Sequence, residues 1–203
     1  MIMEKVNRRI ISKKRGWCFT PKDLMDLGSP SAVWQALHRL EQKGTIRRIL
    51  RGVYEYPKKN QFLGGYATPS PDCVAQGIAR SNQWTIVPEG NTALNIIGLS
   101  TQVPAHWQYL TDGPTRLYSL DSINLRFIHR AIKETAGLSY DSAVMTQAIK
   151  SLGKEHIDDD VIRRLHGLKS PNEWETVLKE CRYITSWIYE VMKAAAKEEI
   201  GNV

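Results

Sequence analysis

The chain has 203 residues, enough for one ordinary domain or two small ones, and its 42% hydrophobic and 24% charged content excludes wholesale disorder. It holds 28 Lys/Arg against 21 Asp/Glu, a net of +7, and no run of apolar residues reaches the ~18 that a membrane span requires. The charge is local, because residues 1–60 hold 14 Lys/Arg against 5 Asp/Glu while the remainder holds 14 against 16. A concentrated basic segment releases counterions from phosphate and steers a protein onto nucleic acid, which evenly spread charge does not. Met1-Ile2-Met3-Glu4-Lys5 has no apolar stretch of the secretory kind. Cys18, Cys73 and Cys181 are odd in number and far apart, which suits neither a disulfide framework nor a zinc site and fits a reducing, cytoplasmic setting.

In chain order, a first helix is expected over Glu4–Lys14, with Met3, Val6 and Ile10 on one face and Lys5, Arg8, Arg9 and Lys13 outside it. Gly16 stops it. Thr20-Pro21-Lys22-Asp23 is a start signal, with Thr20 as cap and Pro21 preset for the first helical position, and Gly28 ends this short second helix. Ser29-Pro30 repeats the signal for a third helix reaching about Lys43. Its Val33, Ala36, Leu37 and Leu40 share an inward face. The opposite face carries Ser31, Gln35, His38 and Gln42, flanked by Trp34 and Arg39, with Ser29 at the cap. Gln can pair bidentately with adenine and Arg with guanine or phosphate, although a plain solvated polar face has the same composition.

After Gly44 the period changes to that of strands. Thr45–Ile49 and Val53–Tyr56 are joined through Leu50-Arg51-Gly52, and a hairpin directly behind such a helix is the wing of a winged helix-turn-helix. Arg47, Arg48 and Arg51 of this wing are expected near phosphates or the minor groove. Lys58-Lys59-Asn60 and the Gly/Pro-containing Phe62–Ser70 read as a linker, so the domains are placed at 1–60 and 61–203.

The second part reads as mixed α/β with a helical cap. A helix is expected at Asp72–Ser81 and a strand at Trp84–Val87, followed by a helix at Thr92–Ile97. Strands follow at Trp107–Leu110, Arg116–Leu120 and Leu125–His129, the first two joined by a turn through Asp112-Gly113-Pro114. From Tyr140 onward there are four helical stripes, the last containing Ile184, Trp187, Ile188, Val191 and Ala195. His156-Ile157-Asp158-Asp159-Asp160 could ligate a metal, but its acids also suit the start of the next helix, where negative charge meets the dipole. Asp112 is explained by its turn. His106 and His129 lack a visible nucleophilic partner, and no phosphate-loop, dinucleotide or zincin motif occurs, so no enzyme, cofactor or metal is expected.

Together, Phe19-Thr20-Pro21-Lys22-Asp23-Leu24, Leu27-Gly28-Ser29, Gly44-Thr45-Ile46-Arg47-Arg48, Arg51-Gly52-Val53-Tyr54, Leu99-Ser100-Thr101-Gln102-Val103-Pro104 and Leu110-Thr111-Asp112-Gly113-Pro114 resemble the AbiEi-type antitoxins of abortive-infection, type IV toxin–antitoxin systems. The branch most similar is that of DUF6088-type domains. The resemblance implies a cytoplasmic, winged-helix repressor that binds inverted repeats of double-stranded DNA in its own promoter. It also implies a C-terminal antitoxin domain that opposes a nucleotidyltransferase-type toxin without requiring a stable complex. The alternative from another class is a transcriptional regulator whose C-terminal domain senses a small molecule.

Overall fold

The computed structural model describes residues 1–60, 64–120, 123–130 and 135–197. The fold is mixed α+β. Its residues divide into two compact units, one of Met1–Thr85 with Tyr118–Leu125, the other of Ile86–Leu117 with the chain from Arg126 onward.

The first unit opens with helix α1 (Ile2–Ser12), strand β1 (Cys18–Phe19), a 3-10 helix (Pro21–Leu27) and helix α2 (Pro30–Gln42). The expected second helix is thus a 3-10 helix, whose start is held by the Asp23 carboxylate accepting from the Thr20 amide at 2.8 Å. Strands β2 (Arg47–Leu50) and β3 (Val53–Glu55) form the hairpin, with Gly52 at φ +77° in the left-handed region that its turn requires. Val6 and Ile10 of α1 meet Val33, Ala36, Leu37 and Leu40 of α2, and Phe19, Leu24, Ile46 and Tyr54 complete this core. The short strand β1, absent from the expectations, pairs with β3 in a sheet of order β1-β3-β2 and stacks Phe19 on Trp17, ring centroids 4.5 Å apart.

Two further features depart from the expected linker. Strands β4 (Lys59–Asn60) and β5 (Gly65–Tyr66) pair antiparallel, while Phe62 lies outside the described residues. Helix α3 (Pro71–Asn82) belongs to the first unit, not to a domain beginning at 61. It packs on β1 at Gly77, where a Cβ would stand 3.2 Å from the Cys18 carbonyl oxygen, so only glycine sits there without displacing backbone. Arg80 then donates to the Cys18 carbonyl at 2.7 Å and pairs with Asp23 at 3.2 Å, and Lys22 donates to the Ser81 carbonyl at 2.7 Å.

The second unit contains strand β6 (Ile86–Pro88), helix α4 (Gly90–Ile96), strands β7 (His106–Thr111), β8 (Arg116–Leu120) and β9 (Ile123–His129), and helices α5 (Tyr140–Leu152), α6 (Asp159–His166), α7 (Pro171–Glu180) and α8 (Ser186–Lys197). Of these, Tyr118–Leu120 of β8 and Ile123–Leu125 of β9 are grouped with the first unit. The sheet order is β6-β7-β9-β8, so β7 pairs with β9 and the Asp112–Pro114 segment leads away from a neighbouring strand instead of closing a hairpin. Tyr109 and Phe127 on those paired strands hold their rings 5.7 Å apart. Asp158 accepts from the Val161 amide at 2.9 Å, and Asp159 and Asp160 occupy the first turn of α6, so these acids are used at a helix start. The helical core gathers Met145, Ile149, Leu165, Trp174, Val177, Cys181, Ile188 and Met192.

Trp174 is 2% exposed and donates its indole N–H to the His166 carbonyl at 3.3 Å. Trp174→Ala should destabilise the second unit by about 4 kcal/mol, through lost burial and the cavity left behind. Tyr183→Ala, at a side chain 88% exposed, should change stability by no more than about 0.5 kcal/mol. Urea denaturation followed by circular dichroism checks both; equal effects would refute this assignment of the core.

Candidate nucleic-acid interface

The exposed side of α2 and the β2–β3 turn carry nearly all the residues that the sequence singles out. Ser29, Ser31, Gln35, His38, Arg39 and Gln42 are exposed, while Val33, Ala36, Leu37 and Leu40 are buried on the other side. Gln35, His38 and Gln42 follow the i, i+3, i+7 spacing of a single helix face, which at ~1.5 Å rise per residue spans about 10 Å. At the start of the helix the Ser29 and Ser31 hydroxyls lie 3.3 Å apart and share a hydrogen bond.

The three arginines of the hairpin have different surroundings, and strand alternation is the reason. Arg48 is paired in register with Tyr54, a residue of the α1–α2 core, and Arg47 with Glu55. Residues opposite each other on paired strands share a face, so Arg48 lies on the α2 side of the sheet with Tyr54; burial pushes the Tyr54 phenol up, Glu41 adds to this and Arg48 opposes it. Arg48 is exposed and, among the described residues, its one hydrogen bond is to the Leu50 carbonyl, at 3.4 Å. Arg51 sits exposed at the turn with no hydrogen bond or ion pair among the described residues.

Arg47 projects to the other side. Its Nε lies 2.6 Å from Glu55 Oε2, its Nη2 donates to the Ala67 carbonyl, and its guanidinium lies 5.9 Å from the Tyr66 ring centroid. The Tyr66 hydroxyl in turn donates to the Gly44 carbonyl at 3.1 Å. The expectation that Arg47 would face phosphate thus meets a guanidinium committed to a carboxylate that is 3% exposed. A charge so enclosed requires a partner, and its strand neighbour supplies one.

Two exposed residues join this face that the sequence-derived set omitted. Trp34 is 47% exposed on α2, and Lys43 follows its last turn with no ion pair among the described residues. Their signal was present as Trp34 at the edge of the polar arc and Lys43 at its C-terminal end. Of the α1 cations, Arg9 is held by Asp26 at 2.8 Å, and this guanidinium keeps the Asp26 carboxyl below its usual range.

Comparison with known proteins bears on most of the chain. Residues 5–176 match the model of a family described as "Family of unknown function (DUF6088)". The chain belongs to the DUF6088 family. No curated protein matches it. Among solved structures it is similar to that of the RV2827C protein from Mycobacterium tuberculosis, at 13% identity and a TM-score of 0.42, covering 93% of this chain and 75% of that one. No helix among the described residues is long and apolar enough to cross a membrane.

The arginine assignments separate by stability. Arg47→Ala should cost about 3 kcal/mol, because it leaves Glu55 buried without a cation, whereas Arg51→Ala should cost no more than about 0.5 kcal/mol. Chemical denaturation of the two variants distinguishes them, and an unperturbed Arg47→Ala would mean that Glu55 needs no partner.

Proposed function

We propose that this DUF6088 protein is a DNA-binding antitoxin of the type IV, abortive-infection kind. In this reading residues 1–60 supply a winged helix-turn-helix that represses the protein's own promoter, with α3 supporting it from the same unit, and the second unit counters a nucleotidyltransferase-type toxin. The observation that carries the DNA half is the exposed polar face of α2, with Trp34 at its edge and exposed Arg39, Lys43, Arg48 and Arg51 around it. In the docking that such a helix suggests, Gln35 and Gln42 read base edges in the major groove. Arg48 and Arg51 meet the backbone, as the hairpin follows α2 directly in the chain. The toxin half rests on the family resemblance through Leu99–Pro104 and Leu110–Pro114.

The alternative, a regulator that senses a small molecule, is favoured by one observation. A cleft of about 570 Å³ lies between β7 and α4, lined by Glu89, Asn91, Thr92, His106, Gln108 and Ser151. A nucleotidyltransferase gene beside the coding sequence would favour the antitoxin reading over this one.

Three outcomes are expected. If about six phosphates are neutralised, the affinity for promoter DNA should fall with salt at a log–log slope near −5, and duplex binding that ignores salt would refute the interface. Gln35→Ala should cost roughly 1–3 kcal/mol on the operator and little on random DNA, while Arg51→Ala should weaken both alike and flatten the salt slope by about one. Gel-shift titrations at several salt concentrations read all of these. In cells, the Arg48→Ala/Arg51→Ala double variant should lose operator binding yet still rescue growth when the toxin is expressed from an independent promoter. A folded double variant that fails to rescue would show that the two activities do not divide in this way.

A further inference from the structure

The first unit brings two cysteines together in a place that the DNA reading does not use. Cys18 lies on β1 and is fully buried, whereas Cys73 lies in the first turn of α3 and is partly exposed. The Cys18 amide donates to Cys73 Sγ at 3.3 Å. Both thiols are directed at one acceptor, the Gly16 carbonyl oxygen, 3.0 Å from Cys73 Sγ and 3.8 Å from Cys18 Sγ. Cys181 has a different setting, enclosed in the helical core of the second unit with the Thr146 hydroxyl 3.8 Å from its sulfur and no second cysteine among the residues of that core.

We propose that Cys18 and Cys73 form a peroxide-responsive dithiol, in which Cys73 is oxidised first and Cys18 closes a disulfide onto it. The partly exposed sulfur is the one a small oxidant can reach, and the buried one is held beside it. The adjacent Cys18 thiol lowers the Cys73 thiol to about 7 against the opposing effect of burial, with the Cys18 amide and Arg80 assisting and Asp72 opposing. The Cys73 sulfur and burial raise the Cys18 thiol, with Glu55 adding to this. The partly exposed sulfur is thus also the more acidic of the two, and it stands at the start of a helix, which favours negative charge.

The chemistry balances with hydrogen peroxide as oxidant. The Cys73 thiolate attacks one peroxide oxygen, the O–O bond breaks, and the departing hydroxide takes a proton to become water, leaving a sulfenic acid. The Cys18 sulfur then loses its proton and attacks the Cys73 sulfur, the S–O bond breaks, and the leaving hydroxide takes that proton as a second water. Two thiols are oxidised to one disulfide, and both peroxide oxygens are reduced. The product joins positions 55 residues apart and makes the β1–α3 contact covalent.

The test uses the full chain, reduced and then freed of reductant. It is treated with equimolar hydrogen peroxide at neutral pH, blocked with N-ethylmaleimide under denaturing conditions, digested and analysed by mass spectrometry. The expected product is an intramolecular Cys18–Cys73 link lacking two hydrogens, with Cys181 recovered as the blocked thiol. Cys18→Ala should instead accumulate a Cys73 sulfenic acid that dimedone traps, and Cys73→Ser should give neither product. Should a variant fold poorly, the unaltered protein still decides, because mapping its own link needs no substitution. Peroxide consumption without a Cys18–Cys73 link, or oxidation of Cys181 ahead of Cys73, would overturn the proposal.

Discussion

A carboxylate inside a small sheet must keep a cation against it, and Glu55 imposes that requirement on the first unit. Its side chain is 3% exposed on the central strand β3, and Arg47 answers from β2 at 2.6 Å. Slipping the hairpin by one residue would carry Arg47 to the other face and strand the carboxylate, so the pair holds the register. The same guanidinium takes the Ala67 carbonyl and lies over Tyr66, tying β5 to the hairpin. Alternation then sends Arg48 to the α2 side, where its charge remains available. Of two adjacent arginines, one is thereby committed to the fold, and the other is the one that the proposed reading assigns to DNA.

A second constraint comes from the close approach of α3 to β1. With no side chain at Gly77, the helix backbone can settle against Cys18, and Arg80 and Lys22 fasten the contact with three polar links. A fragment cut at residue 60 would lose all of these and leave the outer flank of β1 uncovered. The DNA-binding half in the proposed reading is thus larger than its recognition elements, since the structure supporting them runs on to Thr85.

Much of this was legible in the chain. The Ser29-Pro30 start, the apolar spacing of Val33, Ala36, Leu37 and Leu40, and the Gly52 turn locate α2 and the hairpin closely, because each is a local signal read over a few residues. The second unit's helices were equally plain in their apolar periods. What stayed hidden depends on partners distant in sequence. A two-residue strand such as Cys18–Phe19 has no periodicity to detect and exists only because β3 is beside it. The role of Arg47 required knowing that Glu55 is enclosed, and the Gly/Pro stretch before α3 reads as a linker until Gly77 is seen on β1. For the candidate interface, the helix face was readable from composition, whereas the sorting of Arg47 from Arg48 needed the register.

The strand order of the second unit also bears on how that unit assembles. β8 and β9 are adjacent in sequence and paired, so their contact closes a very short loop, while β7 pairs with β9 across the whole length of β8. Loop closure favours the near pairing first. β9 thus has a near partner on one edge and a distant one on the other, and the distant pairing is where Phe127 meets Tyr109. The stretch that includes Asp112–Pro114 has to leave β7 for a strand that is not its neighbour, so this sheet rests on a long-range pairing that no hairpin turn supplies.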